Sequence, residues 1–188
     1  MSTPIPFEDA DLDAVFQSLI AGITGIDGTL VRPRWQPVPP QQPPATTDWC
    51  ACGVTVETSD AGPSIVHNGA GNGSDTYVRH KAIEVFASFY GPNSKRNAGI
   101  LSDGLAVPQN TEGLFAIDVR FVDCGPIRTA PELVNQQWIQ RRDLVMRFRR
   151  KVTRTYPVLN LTSATVAVED DSSINLTVTV PPNGRLPA

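Results

Sequence analysis

Cysteine is scarce in this 188-residue sequence, with only Cys50, Cys52 and Cys124. An odd count of three excludes a disulfide framework, so free thiols in a reducing cytoplasm are expected. Long apolar runs are also missing. No stretch approaches the roughly 20 residues needed to cross a bilayer, and no charged n-region precedes an apolar h-region at the N-terminus. The chain therefore reads as soluble and not secreted by that route, with no membrane partner. It also lacks paired carboxylates, a Ser/His/Asp set and a nucleotide fingerprint, which leaves no case for an enzyme or a cofactor. A net charge of −3 gives no global affinity for nucleic acid.

What is present suits one domain over residues 1–188, with 40% hydrophobic residues for an ordinary core. Seventeen prolines and fourteen glycines gather in particular loops, which points to extended arms on a compact body. Phe7 to Thr24 reads as a helix, because Leu12, Val15, Phe16, Leu19, Ile20 and Ile23 recur at three- and four-residue steps. Gly25 suits its C-terminal cap, and one side of it should cover a sheet. Residues 29–47 hold six prolines and read as an extended or polyproline-like arm. That arm either lies across a neighbouring subunit, anchored by Arg32, Arg34 and Trp35, or runs over the protein's own surface.

Trp49 to Glu57 alternates like a strand, with Cys50, Cys52, Val54 and Val56 on one face, and Thr76 to Tyr90 alternates again. Between them residues 59–75, with Gly69, Gly71 and Gly73, read as a flexible loop of a long antiparallel hairpin. A short helix from Asn93 or Ser94 to about Ser102 follows. Leu114 to Val122 then reads as a strand with Phe115, Ile117, Val119 and Phe121 on one face. A final hairpin is expected from Leu161–Val168 and Ile174–Val180, and residues 181–188 read as a frayed tail. The fold class is α+β: an antiparallel sheet covered by the N-terminal helix and a second short helix, with a proline-rich extended arm.

Cys50, Cys52, His67 and His80 lack the CxxC-type spacing of metal sites, so buried structural thiols and no metal are expected. Cys124 has no adjacent histidine or nucleophile elbow, which argues against a catalytic thiol. Gly69 to Asp75 resembles a calcium repeat or phosphate loop only faintly, being a single copy with no Gly-Lys-Ser/Thr after it.

The most distinctive stretch is Trp138 to Tyr156, in which seven cations (Arg141, Arg142, Arg147, Arg149, Arg150, Lys151, Arg154) face one anion, Asp143. It carries +6 while the remaining residues sum to −9. Leu144, Met146, Phe148 and Val152 sit at even spacings, the pattern of a half-buried strand. Its expected partner is the strand ending at Val122, which brings Asp118 and Asp123 to the arginines. Three roles remain open: a salt-bridged sheet face, a contact with an acidic surface of another copy or another protein, or nonspecific phosphate contact by a nucleic-acid-binding module using residues 141–154.

Taken together, Val31-Arg32-Pro33-Arg34-Trp35, DWCACGV, Phe89-Tyr90-Gly91-Pro92, DGLAVPQN, Trp138-Ile139-Gln140-Arg141-Arg142-Asp143-Leu144 and RTYPV resemble the neck and tail terminator proteins of tailed bacteriophages. The likeness runs from about Phe7 to Val168. It implies a noncatalytic structural protein, without metal or cofactor, that closes into a homo-oligomeric ring, generally a hexamer, at the head-proximal end of the tail tube. Such a ring terminates tube polymerisation and joins the tail to the head connector. Its implied partners are the tail tube protein, the connector and other neck proteins, sheath protein if the tail is contractile, and DNA passing nonspecifically through the lumen. Its implied location is the virion neck, after assembly in the host cytoplasm. Another neck component, a head- or tail-completion protein, is the alternative within this class. Arg32, Arg34, Trp35, Trp138, Arg141, Arg142, Arg147, Arg149, Arg150, Lys151 and Arg154 are the candidate subunit or partner contacts.

Overall fold

The computed structural model describes residues 8–134, 136–160, 164–167 and 175–178. In chain order these form α1 (Asp9–Thr24), a 3-10 turn (Gly28–Leu30), β1 (Val31–Pro33), β2 (Trp49–Ser59), β3 (Ser64–Asn68), β4 (Ser74–Tyr90), α2 (Ser94–Leu105) and α3 (Pro108–Thr111). A second 3-10 segment (Glu112–Ile117) leads to β5 (Val119–Cys124), β6 (Arg128–Thr129), β7 (Glu132–Val134), β8 (Gln137–Ile139), β9 (Arg141–Pro157), β10 (Ala164–Ala167) and β11 (Asn175–Val178). The fold is α+β, and its mixed sheet of seven strands has the path β1-β2-β4-β9-β5, with β3 beside β4 and β6 beside β9. The chain divides into a body, residues 6–61 and 79–152, and a smaller unit that takes in Gly62–Val78 and the chain from Thr153.

In the body, β2 and β4 pair antiparallel from Trp49↔Tyr90 to Ser59↔Lys81, the hairpin that their alternation predicts. β5 and β9 pair antiparallel through Val119↔Arg150 and Phe121↔Phe148, as expected. The buried side of β9 carries Leu144, Met146, Phe148 and Val152. Helix α1 lays Leu12, Phe16 and Ile20 onto this sheet, and the Phe16 ring lies 4.8 Å from that of Phe148. Each fully buried side chain of this size stabilises the fold by about 1.5–3 kcal/mol relative to exposure. Gly25, at φ 71°, ends α1 by donating to the Ala21 carbonyl at 2.9 Å. Helix α2 adds Ala98, Leu101 and Leu105 to the same core.

The arm begins inside the sheet. Val31–Pro33 forms a parallel edge strand on Cys50–Cys52, a position where proline's missing N–H removes no ladder bond. At Gly91, φ is +100° and a Cβ would lie 2.5 Å from the Thr47 carbonyl, so only glycine lets the chain turn there beside the arm's end.

The expected strand over Leu114–Val122 is corrected in its first half. Residues Glu112–Ile117 form 3-10 turns, Asp118 is left-handed at φ 57°, and the strand starts at Val119. Phe115 is consequently exposed, and the Arg120 guanidinium stacks 3.8 Å above its ring. The period of two through Phe115 and Ile117 was coincidental.

The smaller unit corrects a second expectation. Residues 59–75 are not a plain loop, because Ser64–Asn68 pairs antiparallel with Ser74–Val78. Asn160 is bound into the tight turn between these strands: its Nδ2 donates to the carbonyls of Gly69 (2.9 Å) and Gly71 (3.1 Å). The rings of Tyr77 and Tyr156 meet edge-on at 5.9 Å. β10 and β11 pair antiparallel, Ala164↔Val178 to Ala167↔Asn175, within the hairpin that the sequence predicts. The acidic connection 169–172 and the tail 181–188 lie outside the described residues.

Candidate interaction surface

The cations of β9 lie on both sides of the strand, and Arg141, Arg147, Arg149, Arg150 and Lys151 have carboxylate partners within the body. Arg147 donates to both carboxylate oxygens of Asp123 at 2.9 Å and to Glu84 at 3.3 Å. Arg149 pairs with Asp60, and Lys151 lies 3.4 Å from Asp118. Arg150 shares the buried side with Val152 and lies 3.8 Å from Glu57. Arg142 donates to its neighbours Gln140 (3.3 Å) and the Arg141 carbonyl (2.9 Å). Arg154 belongs to the smaller unit. The strand therefore sits in a ladder of carboxylates from β2, β4 and β5 and from the residues beside those strands, and its own repulsion is largely neutralised.

A second cluster crosses the sheet from β1 to β9. Asp143, the lone anion of the basic stretch, is buried at its head. Arg141 grips it with two bonds, Nε to Oδ1 at 2.8 Å and Nη2 to Oδ2 at 3.0 Å. Ser88 Oγ donates to it at 2.6 Å and in turn accepts from Arg34 Nη2. Burial lowers the pKa of Arg34; it would lower that of Arg141 as well, but the hydrogen bonds to Asp143 and nearby negative charge raise it. Both stay cationic. Arg34 also lies over the Phe86 ring at 4.3 Å, and Arg141 continues to Glu132 at 3.5 Å. Charge-assisted, bidentate bonds of this kind are strong and directional, so the cluster fixes how β1, β4 and β9 meet.

Outside this cluster the arm and the sheet enclose a groove of about 620 Å³, walled by Arg32, Trp35, Trp49, Tyr90, Glu132 and several arm prolines. Trp49 and Tyr90, cross-strand neighbours, stack with centroids 4.1 Å apart. Arg32 lies over Trp49 at 5.9 Å and donates to the Gln41 carbonyl at 3.0 Å, which ties the arm back upon itself. Trp35 is 65% exposed and Trp138 66% exposed, far more than such rings usually are in a monomer. Trp138 faces Leu133 across the β7–β8 pair, and Leu133 is exposed too.

Cys50 and Cys52 are buried in the core, and burial pushes Cys52 to about 12 and Cys124 to about 11. Among the described residues no three metal-ligating side chains come together.

A family model, phage neck terminator protein, matches residues 10–172. The chain belongs to the phage neck terminator family. Its role is accordingly structural, in the neck of the virion and among other neck and tail components, and the family is not one of enzymes. A search of curated proteins finds no match. None of the helices described in this neck terminator is long and apolar enough to cross a membrane.

The structure brings Arg32, Arg34 and Trp35 to one groove, with Arg141 joined to its Glu132 wall, and spreads Arg147, Arg149, Arg150 and Lys151 along the paired sheet. Ser88, Asp143, Glu132, Trp49 and Tyr90 were not among the candidates. The available signal was Asp143 itself, a single acid in a run of seven cations, where a buried partner is the economical explanation.

Proposed function

We propose that this neck terminator closes into a ring, six-membered by analogy with its family, at the head-proximal end of the tail tube. There it stops tube polymerisation and joins the tail to the head connector. The observation that carries this reading is the exposed aromatic surface. Trp35, Trp138 and Leu133 leave large apolar area in water on a body whose core is otherwise complete. Tryptophan and arginine are the residues on which protein contacts most depend. A ring needs one surface of each copy to meet a different surface of the next, and here the arm groove and the β7–β8 hairpin are both available. Arg32, Arg34, Trp35, Trp138, Arg141, Arg142 and Arg154 are the proposed contacts; Arg147, Arg149, Arg150 and Lys151 serve mainly to hold the sheet. DNA passes through the lumen without being read.

The deciding experiment is a mass measurement of purified protein, alone and mixed with its tube protein, together with reconstruction of the particle neck. A ring on the tube tip is the expected result. Monomer in both samples and absence from virions would overturn the reading, whereas a ring elsewhere in the neck stack would make the chain a completion protein.

A further inference from the structure

The groove walls differ from strand β9 in one respect. Arg147, Arg149, Arg150 and Lys151 each have a carboxylate within 4 Å, but Arg32 and Arg34 donate only to neutral acceptors, the Thr29 and Gln41 carbonyls and the Ser88 hydroxyl. Among the described residues neither forms an ion pair, and the Arg34 Nε–H is buried without a partner. Two guanidiniums thus border an aromatic and proline wall with their charge uncompensated, except by the shared Asp143 deeper in the sheet. Glu132, the acid on the rim, is engaged by Arg141. An extended segment bearing carboxylates beside apolar residues matches this chemistry: its acids meet Arg32 and the field of Arg34, and its apolar side chains lie on Trp35 and Trp49. Phosphate of DNA fits less well, since the walls are apolar and the arm's prolines crowd them.

We infer that the groove between the proline-rich arm and the sheet receives the acidic segment Glu169-Asp170-Asp171 of a second copy of this chain. The inference rests on the ring reading, which requires contact between unlike surfaces of two copies. This segment is the one run of three consecutive acids in the sequence. In sequence it joins β10 to β11, with Val166, Val168, Ile174 and Leu176 as its apolar companions on either side.

A peptide of residues 165–177 tests the groove without requiring assembly. The receptor is the full-length chain carrying Asp170→Lys and Asp171→Lys, whose own segment cannot compete, and Trp fluorescence reads binding. Binding should weaken roughly tenfold or more on a receptor that carries Arg32→Glu and keeps its own Asp170 and Asp171, which Arg32→Glu repels, and should recover there when the peptide itself carries Asp170→Lys and Asp171→Lys. Trp35→Ala, which removes an exposed ring and leaves the melting temperature in place, should weaken both pairings. No binding, or binding indifferent to Arg32→Glu, overturns the groove. If the wild-type chain stays monomeric at every concentration and refuses the peptide while the reversed receptor accepts it, the segment occupies its own chain's groove and the second-copy assignment falls. A ring found on virions without peptide binding removes this site and leaves the ring reading intact; peptide binding without any ring does the reverse.

Discussion

His67 illustrates how one side chain can organise a loop. Its Nδ1 lies 2.6 Å from Asp75 and its Nε2 2.8 Å from Asn160 Oδ1. The Asn160 amide cannot turn round, because its nitrogen serves Gly69 and Gly71. Both ring nitrogens must therefore donate, which only the imidazolium does. Bonding to Asp75, then to Asn160, accordingly raises the His67 pKa above the usual histidine value. The folded-state pKa lies above the unfolded one, so this stabilisation is complete below about pH 6.5 and is lost as pH rises through the raised value. The amides of Val158 and Asn160, bonded to the Gly73 and Asn72 carbonyls, should then exchange faster. Hydrogen exchange across that pH range checks this, and a His67→Gln chain should show no such step. Gly104 makes a different residue-scale prediction. It lies in α2 where a Cβ would come 2.4 Å from Ile23 Cγ2, so Gly104→Ala should lower stability in denaturant titration. Overpacking costs about 1–3 kcal/mol, more than the roughly 1 kcal/mol gained in helix propensity. A stabilised variant would mean that α1 yields easily.

At the scale of elements, the Asp143 cluster decides whether β1 stays on the sheet. Asp143→Ala leaves Arg141 and Arg34 without their shared carboxylate in a largely buried setting, and should cost about 3 kcal/mol or more. Urea unfolding measures it; a loss under about 1 kcal/mol would show that water reaches the cluster freely. Ser88→Ala should cost less, about 1–2 kcal/mol, since it removes one link and leaves the bidentate grip intact. Strand β9 itself was legible from parity alone, and Leu144, Met146, Phe148 and Val152 are all buried. Arg150 occupies the same parity and is buried as well; its charge obscured this in the sequence, where the acid that answers it, Glu57, is 93 residues away. Helix α1 and its Gly25 cap were legible because three-four spacing and a terminal glycine are local signals. The turns at Glu112–Ile117 and the pairing of β3 were not. A short 3-10 run can imitate alternation for a few residues, and β3 is exposed throughout, so no apolar face announces it. The groove was half legible: Arg32, Arg34 and Trp35 adjoin in sequence, but Tyr90 on β4 and Glu132 on β7 reach them only through the tertiary fold.

For the whole molecule, the distribution of charge separates folding from assembly. The basic strand suggested a surface for an anionic partner, but five of its seven cations already answer carboxylates of the body, so its +6 mainly offsets an acidic frame. Among the described residues, the surfaces we propose for partners are the groove and the exposed Leu133–Trp138 pair of the β7–β8 hairpin. These two classes of residue should respond in opposite ways. Trp138→Ala with Leu133→Ala removes exposed apolar surface, and such changes usually alter stability by no more than about 0.5 kcal/mol. If this surface seats the next copy or the tube, phage complemented with the variant should assemble few joined particles and leave tails of uncontrolled length, although the purified protein melts as before. Arg149→Glu, by contrast, places an acid against Asp60 and should lower the melting temperature. Electron microscopy of lysates and thermal unfolding of the two proteins make the comparison. Normal particles from the Trp138→Ala, Leu133→Ala chain would remove the hairpin from the assembly surface and leave the arm groove as the surface through which the ring must close.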